Sequence, residues 1–286
     1  MTLNVYTSAN LAYSAQCATL LESIRLHEPA AHVSLLLVNS DLEDKKIGQL
    51  RALFDEVITS QDLLGKDHRE WMNRYNVVEA CTSVKGRALR HLLEREQPVV
   101  YLDPDTMLFS PLDNFRTQLD TCSILLTPHQ VAFSIEVDEG IHDEMDSLLF
   151  GVYNLGMLGV RPTQQGKDFA RWWDLRLERH CLDDSSRGLF TDQKWMDLAP
   201  VYFPETRLHL DAGVNVASWN LHNRFITLSD DGTYLVNGQP LVLYHFTKIQ
   251  SIGRDSSIRK MLNNPLAADL VRFYLERLEY WQQVFL

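Results

Sequence analysis

Residues 99–112 read VVYLDPDTMLFSPL: an apolar run, Asp103 and Asp105 with Pro104 between them, then a second apolar run. Pro98 opens the stretch, and "PVVYLD" reads as a short buried strand. A surface turn explains Pro104 and one aspartate. A ligand site explains both, because carboxylates at i and i+2 on a turn leaving a strand can face one hard cation. Mn²⁺ and Mg²⁺ prefer such oxygen ligands. A bare D-x-D also arises by chance in a chain this rich in aspartate, so the surrounding pattern has to decide.

Working outward toward the N-terminus, strand and helix signals alternate. "LNVYTSA" is a strand entering a small-residue loop, and "YSAQCATLLESIRLHEP" carries Cys17, Leu20, Leu21, Ile24 and Leu26 at helical spacing until Pro29. "HVSLLLVN" has parallel-strand character, "LEDKKIGQLRALF" is a solvated helix and "DEVITS" another strand. "YNVVEACTSVKGRALRHLLERE" predicts one long helix with Val77, Cys81, Val84, Ala88 and Leu92 as its inner stripe, leaving Lys85 on the other face. Such alternation predicts an α/β fold with a mostly parallel central sheet. Ligands bind such sheets outside the carboxyl ends of the strands, which is where Asp103 and Asp105 fall.

Beyond residue 112, "CSILLTPH" reads as a strand and the acidic "SIEVDEGIHDEMD" as a loop or flap. "GVYNLGMLGVRP" is an apolar segment, and "GKDFARWWDLRLERHC" an amphipathic helix whose Trp172 and Trp173 fit core spacing. Asp231-Gly232 and Asn237-Gly238 mark hairpin turns. Leu270, Phe273, Leu278, Trp281 and Phe285 predict a terminal helix, which either packs on the domain or docks on a membrane surface or partner. The expected organisation is one main domain over residues 1–255, split near 112 into two halves, and a C-terminal helical extension over 256–286.

The formal net charge of −11 argues against nucleic-acid binding, which needs a basic surface. An anionic ligand would therefore need a metal ion, a helix N-terminus or a few placed Lys/Arg. Cys17, Cys81, Cys122 and Cys181 fit no zinc spacing and read as reduced core residues. The N-terminus does not read as a signal peptide, and no apolar stretch approaches the ~20 residues that span a bilayer. A cytoplasmic protein is expected, peripheral at the inner face of the membrane if the terminal helix docks there.

With these segments in order, VVYLDPDTMLFSPL resembles the metal-binding strand end of GT-A fold, nucleotide-sugar-dependent glycosyltransferases, most similar to the glycogenin and lipopolysaccharide galactosyltransferase-like group (family eight). "VYTSANLAYSAQCATLLESI" is similar to its first strand and nucleotide-contacting loop, "NVVEACTSVKGRALRHLL" to its basic helix, "GVYNLGMLGVRP" to its FNAGVLL-type segment, "FTDQKWMD" to its DQD segment and "LYHFTK" to its terminal HF segment. The resemblance implies a GT-A fold, a Mn²⁺ or Mg²⁺ cofactor held by Asp103, Asp105 and His245, and a donor site of Thr7, Ser8, Ala9, Asn10, Lys85, Tyr101, Asp103, Asp105 and Lys248. It implies Asp192, Gln193 and Asn154 at the reacting centre, with Asp192 as general base should the enzyme invert configuration. Acceptor contacts would come from Asn154, Gly156, Trp219 and Asn220. The implied reaction moves a sugar from a nucleotide diphosphate donor, such as a UDP-sugar, to a saccharide or lipid-linked acceptor in glycan biosynthesis, with retention. Two alternatives stand beside this reading, and the first shares its metal logic. A sugar-phosphate nucleotidyltransferase would carry a glycine-rich basic loop after the first strand, where this chain has "TSANLAYSA". A non-catalytic nucleotide-sugar-binding protein would not need Asp103, Asp105 and His245 intact.

Overall fold

The computed structural model describes residues 3–38, 44–133, 135, 138–247, 249 and 264–286. The first half runs β1 (Asn4–Ala9), α1 (Ser14–His27), β2 (His32–Leu37), α2 (Lys45–Leu53), β3 (Glu56–Thr59), α3 (Ser60–Leu64), α4 (His68–Met72), α5 (Val77–Ser83), α6 (Lys85–Leu93) and β4 (Val99–Leu102). Next come β5 (Thr106–Leu108), α7 (Asp113–Leu119), β6 (Ile124–Pro128), α8 (Asp138–Phe150), β7 (Tyr153–Val160) and α9 (Gln164–His180). Shorter pieces follow: β8 (Asp183–Asp184), β9 (Leu189–Phe190), α10 (Ala199–Tyr202), β10 (Thr206–Leu208), β11 (Ile226–Leu228), β12 (Tyr234–Val236), β13 (Gln239–Pro240), β14 (Leu243–His245) and α11 (Pro265–Val284).

Seven strands form the central sheet in the order β10-β6-β7-β4-β1-β2-β3. β1 pairs parallel with β2 and β4, β2 with β3, and β6 with β10. β7 alone runs antiparallel, between β4 and β6. The strand period of two divides the core. Val100 and Leu102 face α1, α2 and α7 through Leu20, Ile24, Leu50 and Phe115, whereas Val99 and Tyr101 face α6 and α9 through Ala88, Leu92, Phe169 and Trp173. The protein therefore has an α/β fold with a mostly parallel sheet covered by helices on both faces. Trp172 and Trp173 pack against Phe169 and Phe203 in that second layer.

Three local expectations are corrected. The long helix expected over residues 75–96 is broken at Val84, which separates α5 from α6, and Val77 is exposed. The break lets α6 close on α9: a Cβ at Gly86 would lie 2.6 Å from the Asp174 backbone nitrogen. Asp174, fully buried, then collects the guanidinium groups of Arg87 and Arg90. The acidic stretch expected as a loop is helix from Asp138 onward. Leu26, expected on the helical stripe of α1, is exposed, whereas Thr7, Ser8 and Ala9 close β1 as the strand reading of LNVYTSA predicts, paired with Leu35, Leu36 and Leu37.

β5 and β14 pair antiparallel with His245 opposite Thr106, which carries a residue from near the end of the chain beside Asp105. α11 is present, and its buried face of Ala267, Leu270, Val271, Tyr274 and Leu278 packs on the molecule. No helix among the described residues is long and apolar enough to cross a membrane.

Candidate active site

The turn between β4 and β5 is closed by Thr106, whose amide and hydroxyl both donate to the Asp103 carbonyl, at 3.1 and 2.7 Å. The Asp103 amide donates in turn to the Gly156 carbonyl of β7 (3.0 Å), and Pro104 restricts φ between the two aspartates. Both carboxylates are thereby aimed at one point. His245 Nε2 lies 3.1 Å from Asp105 Oδ1 and 3.9 Å from Asp103 Oδ2, and ligand atoms of the three residues all lie within 4.8 Å of one another.

The imidazole is oriented from behind. Asn215 gives its amide N–H to Asn154 Oδ1 (2.9 Å), so its own Oδ1 faces His245 Nδ1 at 3.2 Å. Nδ1 is thereby set to donate to Asn215, and Nε2 is the ring nitrogen turned toward the two carboxylates. Two carboxylates and one imidazole at this spacing could hold a metal ion, and oxygens with one imidazole nitrogen suit Mn²⁺ or Mg²⁺. Gly156 makes room for the imidazole and its amide partner: a Cβ there would sit 2.5 Å from His245 Nδ1 and 2.8 Å from Asn215 Oδ1. Burial would lower the His245 pKa, but Asp105 and Asp103 together raise it. Burial raises Asp103 despite Lys85 and His245, whereas in Asp105 the neighbouring His245 outweighs burial and holds its pKa low.

Lys85 is the second focus. Its Nζ sits 3.1 Å from Asp103 Oδ1 and 2.9 Å from Asp192 Oδ2, and 4.2 Å over the Tyr101 ring. The tyrosine hydroxyl donates to the same Asp103 oxygen. Burial works against the ammonium, yet Asp103 and Asp192 raise its pKa above the ordinary lysine value, so it stays charged. Lys85 is thus buried although it lies off the Val84, Ala88 and Leu92 stripe, because α6 is buried on both sides.

Both foci open on a cleft of about 890 Å³. Ser8, Ala9, Asn10, Tyr101, Lys85, Asp103, Asp105, Asn154, Asp192, Gln193, Trp219 and His245 all line it. Asn154 Nδ2 reaches Gln193 Oε1 at 3.2 Å and His129 Nε2 at 3.1 Å. Asn10 uses its side chain to cap the turn at Ala12, and Ser8 Oγ donates to the Cys81 carbonyl, which ties β1 to α5. Three expected site residues stand back from the cleft. Thr7 is buried in β1, Gly156 is packed behind His245, and Asn220 is fully buried with its amide on the carbonyls of His129 and Asn215. Lys248 lies outside the described residues.

Residues 58–247 match the family of nucleotide-diphospho-sugar transferases. The chain belongs to this family. It is a glycosyltransferase, acting between a nucleotide-sugar donor and an acceptor. It is similar to the uncharacterized protein YfnF of Bacillus subtilis (strain 168), 26% identical over 261 residues that cover 88% of this chain and 84% of YfnF. It is also similar to YfnD of the same organism, 24% identical, covering 59% of this chain and 53% of YfnD. Among solved structures it resembles mouse xyloside xylosyltransferase 1, at a TM-score of 0.49 and 14% identity, covering 88% of this chain and 99% of that one. It also resembles the glycosyltransferase GlyE of Streptococcus pneumoniae TIGR4, at a TM-score of 0.43 and 18% identity, covering 74% of this chain and 45% of that one.

Two residues of this glycosyltransferase escaped the sequence reading. Asn215 sits in the apolar "GVNVA", and an amide in such a run has to find partners, which was the one available signal. It also adopts a positive φ of 56°, which asparagine tolerates. His129 ends β6 and faces Trp219 edge-on at 5.6 Å, while Trp219 faces His245 edge-on at 5.2 Å. Burial pushes His129 down to about 4, so it is a neutral ring at pH 7. Its proximity to Asn154 follows from the pairing of β6 with β7, which no local pattern reveals.

Proposed function

We propose that this cleft transfers a sugar from a nucleotide diphosphate donor, a UDP-sugar in the first instance, to a saccharide or lipid-linked acceptor in surface polysaccharide or glycan biosynthesis. The observation that carries the reading is the convergence of Asp103, Asp105 and His245 within 4.8 Å beside the buried Lys85. The order of the motifs along the chain supports a place near the glycogenin and lipopolysaccharide galactosyltransferase-like group. Residues 1–112 would supply most donor contacts and 113–255 most acceptor contacts.

Asp103, Asp105 and His245 would hold Mn²⁺ or Mg²⁺. The ion would act as a Lewis acid on the departing diphosphate, which an acidic protein could not otherwise stabilise. Lys85 brings a fixed positive charge to the same edge of the cleft, its position set by Asp103 and Asp192 on either side. Ala9 and Asn10 let the nucleoside approach the end of β1. Asn154 and Gln193, locked to each other, present amide groups where sugar hydroxyls would lie.

Asp192 has both carboxylate oxygens engaged, one by Lys85 and one by the Thr191 hydroxyl at 3.0 Å. A carboxylate so committed is a poor general base, which favours retention, with a donor diphosphate oxygen taking the acceptor proton. Trp219 is the favoured acceptor platform: it lines the cleft, and its indole N–H has no hydrogen-bond partner among the described residues.

The test is release of nucleoside diphosphate from a panel of nucleotide sugars, with and without Mn²⁺, followed by product analysis with acceptors. One donor should be turned over, and Asp105→Asn should lower the rate by at least about 100-fold, since even outer partners of a metal site cost 10–100-fold. Full activity in Asp105→Asn, or no donor turned over or bound with Mn²⁺ present, sinks the reading.

A further inference from the structure

The C-terminal helix reaches the candidate metal centre through an aromatic contact. Tyr274 of α11 is 1% exposed, and its ring lies flat on Phe246, with centroids 4.0 Å apart and planes at 2°. Phe246 directly follows His245 in the chain, and its backbone N–H donates to the carbonyl of Asp105 at 2.8 Å. That one peptide therefore sets the separation of two of the three groups that converge on the proposed cation. The Phe246 ring is held on another side by Tyr244, at 4.5 Å.

The far side of α11 is anchored to the N-terminal half. Arg277 and Trp281 both donate to Glu22 Oε2 of α1, at 2.9 and 3.0 Å. Gln49 of α2 donates to the Val284 carbonyl (3.0 Å). α1 begins just after the β1 end of the cleft. The helix thus spans from the elements beside the donor edge to the strand that delivers His245. Ordinary core filling would need apolar volume at position 274, but it would not need a ring parallel to Phe246.

We propose that Tyr274 is a positioning residue for the His245–Phe246 segment, so that α11 forms part of the donor site and is not merely an appended extension. The proposal rests on the metal reading given above for its effect on cation affinity, though not for its effect on the strand. Stacking fixes the Phe246 ring, the ring fixes its peptide, and the peptide holds Asp105 and His245 at ligand spacing. Second-layer groups of this kind tune metal affinity without touching the ion.

The experiment compares wild type, Tyr274→Leu and Tyr274→Phe in the full-length chain. Leucine keeps apolar volume and removes the stack, whereas phenylalanine keeps the stack and removes only the hydroxyl. Backbone amide exchange at residues 243–247 is read first, without metal, and Mn²⁺ affinity by electron paramagnetic resonance second. Exchange at 243–247 should quicken in Tyr274→Leu, with Mn²⁺ binding weakened about 10-fold, and Tyr274→Phe should restore both. Should Tyr274→Leu not fold, Arg277→Ala, which cuts the anchor to Glu22 from a partly exposed position, is read in the same way with the same expectations. Unchanged exchange and Mn²⁺ affinity in a folded variant overturn the proposal. If the wild type binds no Mn²⁺, the metal reading falls, and the exchange arm still judges the positioning role.

Discussion

Lys85 shows how one side chain can hold a site together before any substrate arrives. It is buried between Asp103 and Asp192, two carboxylates separated by most of a hundred residues in sequence. Lys85→Met would keep the volume and leave both carboxylates uncompensated. Removing one partner of a buried ion pair costs about 3–5 kcal/mol, so urea unfolding should show a loss near the lower figure, because Asp103 retains partial exposure. A loss below about 1 kcal/mol would mean the ammonium is not the centre of this cluster. His129 makes the opposite argument, as a base kept neutral by burial. Its value of about 4 lies below the ordinary 6.5, so between these limits the unfolded chain binds a proton that the folded chain does not. Stability contributed by this residue is therefore present above about pH 6.5 and declines as pH falls toward 4. The decline amounts to about 2 kcal/mol between pH 7 and 5. His129→Gln should remove that part of the pH dependence, and an identical pH profile in the variant would show that the ring titrates normally.

At the scale of elements, the site is made by two antiparallel contacts. β7 runs against β4 and puts Asn154 and Gly156 behind the aspartates, and β14 runs against β5 and brings in His245. Gly156 is the position where these meet. An added Cβ would come within 2.5 Å of His245, 2.7 Å of Asn154 and 2.8 Å of Asn215. Gly156→Ala should cost about 1–3 kcal/mol through overpacking and weaken Mn²⁺ binding about 10-fold by turning the imidazole. Thermal unfolding and a Mn²⁺ titration check the two effects separately, and normal affinity in the variant would deny Gly156 its role in seating His245. The packing of α6 is the other decisive local event. Helical periodicity placed Lys85 on the outer face because it assumed one buried stripe. Val84, Ala88 and Leu92 are buried as that period requires, but Lys85, Leu89 and Leu93 are buried too, and α6 approaches α9 closely at Gly86.

For the whole molecule, an acidic chain with net charge −11 concentrates two carboxylates and an imidazole at one edge of its sheet. On the proposed function, Mn²⁺ held there would stabilise the fold as well as serve the reaction. At about 100 times its dissociation constant, a ligand of the native state adds about 2.7 kcal/mol, which for a chain of this size raises Tm by roughly 4–5 °C. The shift should disappear in Asp105→Asn, and a Tm unmoved by millimolar Mn²⁺ would count directly against a metal at Asp103, Asp105 and His245. Much of this molecule was legible from residue patterns alone. The alternation of strands and helices, the D-x-D turn at a strand end, the hairpin turns and the terminal helix are all set by local periodicity and turn chemistry, which act over a few residues. The partners of those aspartates were not legible in that way. His245 reached the site by family resemblance and order of motifs, and Asn215, His129 and the burial of Lys85 by neither. Their placement depends on strand order, on an antiparallel register and on the covering of α6 from both sides, and each of these is decided by packing between segments far apart in the chain. VVYLDPDTMLFSPL determined that two carboxylates leave a buried strand together; only the tertiary structure decided which residues oppose them, because charge complementarity and burial exist only once distant segments share one space.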